Sequence, residues 1–516
     1  MGSMIRPICL FLLGLLFIQA APADARLVTR AFDRDEEPDL YIPDPGNCTS
    51  RVYCPLDVTV EKARVHLLIR HTWVGDLVIS LRSPQGTTVV LRYRQGGSAN
   101  DINTNYDLYT PSYQTMDVFR GQRALGEWSL RVEDRVYGEY GRLKGWQLQI
   151  TYDEGARSAT CQPLVGLGDS GAGAMELFQN ASGDYAHAAW AQLPFSAYNR
   201  ENGETRVAAG DVDGDGIDEV VVGLGPSSVS RGWVAVMDGP QNGGQVRAWL
   251  PSPFDPWYDS ANGETWVATG DVDGDGRDEI VVGQGTYRLN GGRFAVFDDA
   301  QAGHKLLYVK RVPWAAYNAY DGAVRPACGD LDGDGTDEIV LGFSPFPGQG
   351  GYVAVYRQLL GGEQWQWLRL PWSTYNAASG GTRPACGDID GDGRAELVVG
   401  LDSFPTWGGY CAIFDDAVAG HEHLAWLRVP HIDYIQANGE TRPACGDTDG
   451  DGRDEVLVGL GTFAPNTSNV AVFRSDAAST EVRWIGIEST PYNEVNGEAW
   501  VTLGRFDRAA TTTEAK

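Results

Sequence analysis

The chain has 516 residues, 42% of them hydrophobic and 65 of them glycine, with a formal charge of −28. That length predicts more than one core, and so many glycines point to tight turns and an all-β protein rather than a helical one. The acidic balance excludes a nucleic-acid backbone as partner and suits bound cations.

Arg6, the apolar run ICLFLLGLLFI and Ala23-Asp24-Ala25 read as a secretory signal over residues 1–25, with Cys9 inside the apolar run. No later segment is long and apolar enough for a membrane span, so the mature chain is expected to be secreted, at the cell surface or in a periplasm. It then carries seven cysteines in an oxidising compartment. Cys48 and Cys54 are close enough in sequence for a local disulfide, while the pairing of Cys161 and Cys411 stays open.

After an N-terminal segment, 26–40, the stretch 41–153 alternates like half-buried strands. Leu77, Ile79 and Leu81 share one face, and the same period places Trp128, Leu130 and Val132, then Trp146, Leu148 and Ile150. This pattern predicts a β-sandwich. Residues 154–160, EGARSAT, read as a linker.

Residues 161–507 repeat, and 508–516 form a tail. DVDGDGIDEVVVG at 211 recurs as DVDGDGRDEIVVG at 271, DLDGDGTDEIVLG at 330, DIDGDGRAELVVG at 388 and DTDGDGRDEVLVG at 447. Around each loop the text offers four short strands separated by turns, the signature of a propeller blade. PLVGLG, AMELFQN and AWAQLPF near the start lack a first strand, and NGEAWVTLGRFD near the end supplies one. Joined, they make a clasped sixth blade, whose GRFDRAA is not expected to bind metal. Closure removes the unpaired edges of an open array.

A D-x-D-x-D-G loop supplies hard oxygens for calcium, with carboxylates at positions 1, 3 and 5, a backbone carbonyl at 7 and an acid at 9. The predicted ligands are Asp211, Asp213, Asp215, the Ile217 carbonyl and Glu219 in the first loop, and Asp271, Asp273, Asp275, Arg277 and Glu279 in the second. The third has Asp330, Asp332, Asp334, Thr336 and Glu338; the fourth Asp388, Asp390, Asp392, Arg394 and Glu396; the fifth Asp447, Asp449, Asp451, Arg453 and Glu455. Position 8 is Asp four times and Ala395 once, so Asp218 and its counterparts are expected to be solvated. Position 12 is apolar, which argues against an EF-hand, and magnesium would want a tighter octahedral shell. About five structural calcium ions are expected.

HTWVGDLVISLRSPQGT, Phe119-x-Gly121, LGEWSLRVEDR and GRLKGWQL, in that order, resemble the P domain (P/Homo B) of proprotein convertases and bacterial subtilisin-like proteases. That resemblance implies a jelly roll. The acidic array resembles FG-GAP/VCBS repeats, the calcium-binding blades of integrin α-subunit propellers. The expected architecture is therefore a jelly-roll β-sandwich followed by a six-bladed β-propeller, with the seven blades of integrins as the alternative. P domains usually follow a protease domain, and about fifteen residues separate signal from sandwich here, so that domain is expected to be missing.

No HExxH, GxSxG or P-loop occurs. His421 in GHEHL matches His304 in GHKLL and reads as a turn residue; His71 reads as structural. Cys328, Cys386 and Cys445 share a repeat position with Ala209 and Thr269 and read as small buried side chains, as does Cys411 in a strand. Two aromatic sets fall on the side opposite the acidic loops. One follows the blade-to-blade connections (Phe195, Tyr198, Trp257, Tyr258, Trp314, Tyr317, Trp372, Tyr375, Tyr434) and reads as packing. The other follows the second strands (Tyr287, Phe346, Phe404, Trp407, Phe463) and is the expected binding set. The expected function is a secreted, non-enzymatic adhesion or binding protein with an extracellular protein or glycan ligand. A lectin and an extracellular hydrolase with an unrecognised site are the alternatives.

Overall fold

The computed structural model describes residues 27–32, 39–54, 60–122, 124, 126–153, 160–180, 184–359, 362–466, 469–474 and 482–506. The expected signal and tail lie outside these residues, as does all of the linker except Thr160.

The N-terminal body is two facing sheets. One orders Leu27–Phe32, Gly141–Asp153, Val60–His71 and Ile102–Tyr106, with Leu40–Ile42 also paired to Gly141–Asp153. The other orders Gly46–Cys54, Gly126–Asp134, Leu77–Arg82 and Thr88–Tyr93. The alternating residues meet between them: Leu77, Ile79, Leu81, Trp128, Leu130, Val132, Trp146, Leu148 and Ile150 all belong to one buried cluster. Two expectations are corrected here. Leu27–Phe32, read as a segment ahead of the sandwich, pairs with Gly141–Asp153 over six residues and is part of it. Cys48 and Cys54 form no disulfide with each other, because they lie on one extended strand. Six residues of strand separate their Cα atoms by about 20 Å, and a disulfide tolerates at most about 7 Å.

The remaining described residues form six four-stranded antiparallel sheets, five of them meanders. The first is Thr205–Gly210, Glu219–Leu224, Trp233–Met237 and Val246–Pro251, and the four sheets after it repeat the plan. The sixth joins both ends of the array: Gln162–Leu167 pairs with Ala499–Gly504 over six residues. The inner strands touch in a closed cycle, Thr205–Gly210 to Thr265–Gly270, Val324–Gly329, Thr382–Gly387, Thr441–Gly446, Ala499–Gly504 and back to the first.

Both sides of this cycle are stitched. On the acidic side, the position-8 N–H of each loop after the first donates to the preceding loop's first carbonyl, as in Asp278 to Asp211 (3.1 Å) and Ala395 to Asp330 (2.9 Å). The sixth sheet continues the circle, with Cys161 N–H bonded to Asp447 O and Asp218 N–H to Arg505 O. On the other side the connections are six-residue helices, an element the sequence did not announce, beginning with Ser196–Glu201. Each carries a buried tyrosine. Tyr317 Oη donates to Ala323 O (2.6 Å) and accepts Ser344 N–H (2.8 Å). Tyr492 does the same across the clasp, to Glu498 O and from Gly168 N–H. Tyr317→Phe therefore strands two buried backbone groups, at a cost of about 2–6 kcal/mol. Urea unfolding checks this, and a change below about 0.5 kcal/mol, the usual effect of a surface change, contradicts it.

The axis at this end is filled. Arg206, Trp266, Arg325, Arg383, Arg442 and Trp500 hold the second position of the six inner strands. Arg206 lies 3.8 Å over the Trp266 ring and Arg442 3.6 Å over that of Trp500, and the two indoles meet edge to face. Glu204, Glu264, Asp402, Glu440 and Glu498 pair with these guanidiniums. The belt lies at the strand starts, opposite the acidic loops. Its sequence signal was the recurrent Arg or Trp after the strand's first residue.

Candidate metal centres

Each acidic loop joins the first strand of a sheet to the second, which begins at the position-9 glutamate and is buried throughout. The loops fold on their own carboxylates. Asp271 accepts Gly274 N–H (2.7 Å) and Gly276 N–H (2.9 Å), Asp273 accepts Asp275 N–H (3.2 Å), and Asp275 accepts Arg277 N–H (3.0 Å). The first and fourth loops repeat this scheme through Asp211, Asp213 and Asp215 and through Asp388, Asp390 and Asp392. The glycines at positions 4 and 6 all have φ between 71° and 91°, a region closed to most side chains.

The glutamate closes the cage. One oxygen of Glu279 accepts Val272 and Asp273 N–H, and Glu396 does likewise with Ile389 and Asp390. In all five loops one glutamate oxygen (Oε2 of Glu219; Oε1 of Glu279, Glu338, Glu396 and Glu455) is buried without a hydrogen-bond partner. Ligand oxygens of Asp211, Asp213 and Asp215 lie within 4.8 Å of one another, as do those of Asp271, Asp273 and Glu279 and of Asp330, Asp332 and Glu338. Oxygens facing each other across a calcium ion are about 5 Å apart. A buried carboxylate oxygen without a donor, beside further carboxylates, fits a hard cation and nothing apolar. The residues present thus fit calcium in the first, second, fourth and fifth loops; in the third, the Arg357 guanidinium already pairs with Asp332 and Asp334 and lies 2.7 Å from that Glu338 oxygen.

The electrostatics agree. Burial, with the neighbouring aspartates, pushes Glu219 up to about 8, Glu279 to about 11, Glu396 to about 8 and Glu455 to about 7. A raised carboxyl holds a proton that the unfolded chain has already released, so calcium-stripped protein loses stability as pH rises from about 5 to 8. A calcium ion held in the cage would take the proton's place and remove that loss. Melting of stripped protein at pH 5 and pH 8 checks the sign: a higher melting temperature at pH 8 contradicts it.

Position 8 corrects a sequence expectation. Asp218 is buried rather than solvated and accepts Arg505 N–H (2.8 Å). Asp278 accepts Asp211 N–H and Asp454 accepts Asp388 N–H, each at 3.0 Å. These aspartates tie neighbouring sheets together. At position 7, Ile217, Arg277, Thr336, Arg394 and Arg453 donate their N–H groups to the position-5 aspartates, and Arg277 and Arg394 also pair with Asp275 and Asp299 and with Asp392 and Asp416.

Residues 60–150 match the family Proprotein convertase P-domain, and residues 211–282 and 330–399 match the FG-GAP-like repeat. The chain joins a P-domain to FG-GAP-like repeats. A "Calcium-dependent protease" of Trichormus variabilis (strain ATCC 29413 / PCC 7937) is 31% identical over 97 residues, 18% of this chain and 14% of that protein. "Leupeptin-inactivating enzyme 1" of Streptomyces exfoliatus is 34% identical over 114 residues, 21% of this chain and 24% of that protein. The chain thus spans at most about a quarter of these two relatives. Among solved structures, a serine protease of Aeromonas sobria aligns with 19% identity and a TM-score of 0.19 over 24% of this chain and 27% of that one. The Dos1 propeller aligns with 12% identity and a TM-score of 0.33 over 64% and 73%. The closed cycle of sheets, not these alignments, carries the fold.

The P-domain's His71 is fully engaged, with Nδ1 accepting Trp73 N–H (3.1 Å) and Nε2 3.0 Å from buried Asp134. In the repeats, His304 and His421 take the same left-handed turn position, φ 52° and 54°, while His423 packs on Phe414 and Trp426. Burial pushes the Cys411 thiol up to about 12 and raises Cys328, Cys386 and Cys445 as well, so these sulfurs stay protonated. The second aromatic set is mostly packing, against expectation: Tyr287, Phe346, Phe404 and Phe463 lean on the connection tyrosines. Trp407 remains 65% exposed, and Trp257, of the first set, 78%. No helix among the described residues is long and apolar enough to cross a membrane.

Proposed function

We propose that this chain is a secreted, calcium-stabilised binding protein that works without catalysis, built from a jelly-roll P-domain and a six-bladed β-propeller. The observation that carries the reading is the buried, donorless glutamate oxygen beside the aspartates of the loops, all on one side of the ring. Calcium there makes the opposite side a rigid platform. That side holds exposed Trp257, Leu289, Tyr320, Trp407, Ile432 and Val495 on its turns and connections, the kind of apolar anchors a protein partner buries.

A glycan ligand is the second reading, favoured by one site. A cavity of about 420 Å³ is lined by Trp314, Tyr352, Trp367, Gln349 and Arg369, aromatic faces beside hydrogen-bonding groups. The relatives with protease names keep hydrolysis as a third outcome. The test is a pull-down from extracellular medium with and without calcium, beside a glycan array and a casein-hydrolysis assay. Calcium-dependent capture of a defined protein supports the first reading. Saturable binding competed by free sugar moves it to a lectin. Casein cleavage abolished by no protease contaminant control overturns the non-catalytic claim.

A further inference from the structure

The third acidic loop differs from the other four. In the first, second and fourth sheets the third strand runs out into Asp238, Asp298 or Asp415; in the third sheet the same place is Arg357, within the strand Tyr352–Leu359. Its guanidinium lies over the cage. One Nη meets Asp332, the other is 2.7 Å from Asp334 Oδ2, and Nε is 2.7 Å from Glu338 Oε1. That last contact is an ion pair out of hydrogen-bond alignment, made to the very oxygen whose counterparts in the other loops have no such neighbour among the described residues. A planar cation with five donors suits a cluster of carboxylates. It also fills the position where calcium would need oxygens at about 2.3–2.6 Å.

The P-domain covers this same loop. Tyr109 Oη donates to Asp332 Oδ2 at 2.9 Å, and Arg64 donates to the Gly333 carbonyl. Asp332 is 1% exposed, whereas its counterparts Asp273, Asp390 and Asp449 are open to solvent. A cavity of about 410 Å³ beside the loop is walled by both modules, with His66, Asn103 and Tyr109 facing Arg357, Gln364 and His421. Arg474, at the same repeat position in the fifth sheet, reaches Asp449 (2.6 Å) and leaves the Glu455 oxygen without a donor.

We propose that Arg357 replaces the metal ion in the third loop, so that the protein binds four calcium ions and the third loop is a calcium-independent seat for the P-domain. This rests on the calcium reading of the other loops. Calorimetric titration of the calcium-stripped full chain should give four ions, Asp273→Asn three, and Asp332→Asn still four. Arg357→Asp, which restores the residue of the second and fourth sheets, should give five. A count of five in the unaltered chain, or loss of one ion in Asp332→Asn, overturns the proposal and leaves the calcium reading standing. Binding of no calcium at all overturns both. Hydrogen exchange on the unaltered chain needs no variant to fold: on stripping, amides of loops 211–219 and 271–279 should gain exchange at least tenfold while 330–338 and 103–110 hold. Equal gains in all of them contradict the proposal.

Discussion

A chain ending at Glu498 should lose cooperative folding of the whole repeat array. The missing strand Ala499–Gly504 and the residues after it bury Trp500, Val501, Leu503 and Phe506 against both neighbouring sheets. Burial of four such side chains is worth about 6–12 kcal/mol, comparable with the whole stability of an ordinary domain at about 5–15 kcal/mol. The loss also exposes the edge of Gln162–Leu167, which pairs with Ala499–Gly504 along its full length, and an open edge invites aggregation. Soluble yield and the circular-dichroism melt read the outcome. A cooperative melt within a few degrees of the full chain would show that the clasp does not close the ring.

Stripping calcium should lower the melting temperature by ten degrees or more. At about 2 mM calcium and a dissociation constant near 0.1 mM, each site contributes about 1.8 kcal/mol by mass action. Four sites give about 7 kcal/mol, which for a body of this size corresponds to about 10 °C. Repulsion among three aspartates and a buried glutamate per loop adds to the fall. An unchanged melt in excess chelator at neutral pH would sink the structural role of the metal.

Most of the array was legible because its information is local. DxDxDG and the following valines repeat at steps of 58–60 residues, and one copy explains the next. The clasp was legible too, since a missing first strand at one end matched an extra one at the other. What was not legible depends on contacts between copies. Asp218 and Asp278 looked solvated because the N–H groups they accept belong to Arg505 and Asp211, on neighbouring sheets. The nearness of Cys48 and Cys54 in sequence concealed that an extended strand holds them apart. Tyr287 and Phe404 looked like free loop aromatics until the connection helices brought Tyr258 and Tyr375 under them. Arg357 gave no signal alone, because its meaning comes from strand three ending over the loop between strands one and two.

Crystals grown in calcium and measured at long wavelength test the account at its centre. The anomalous difference map should show a peak inside each of the loops at 211, 271, 388 and 447, bounded by the three aspartates and the donorless glutamate oxygen. A map without peaks in all of these loops at millimolar calcium would contradict the reading of the repeats as calcium cages.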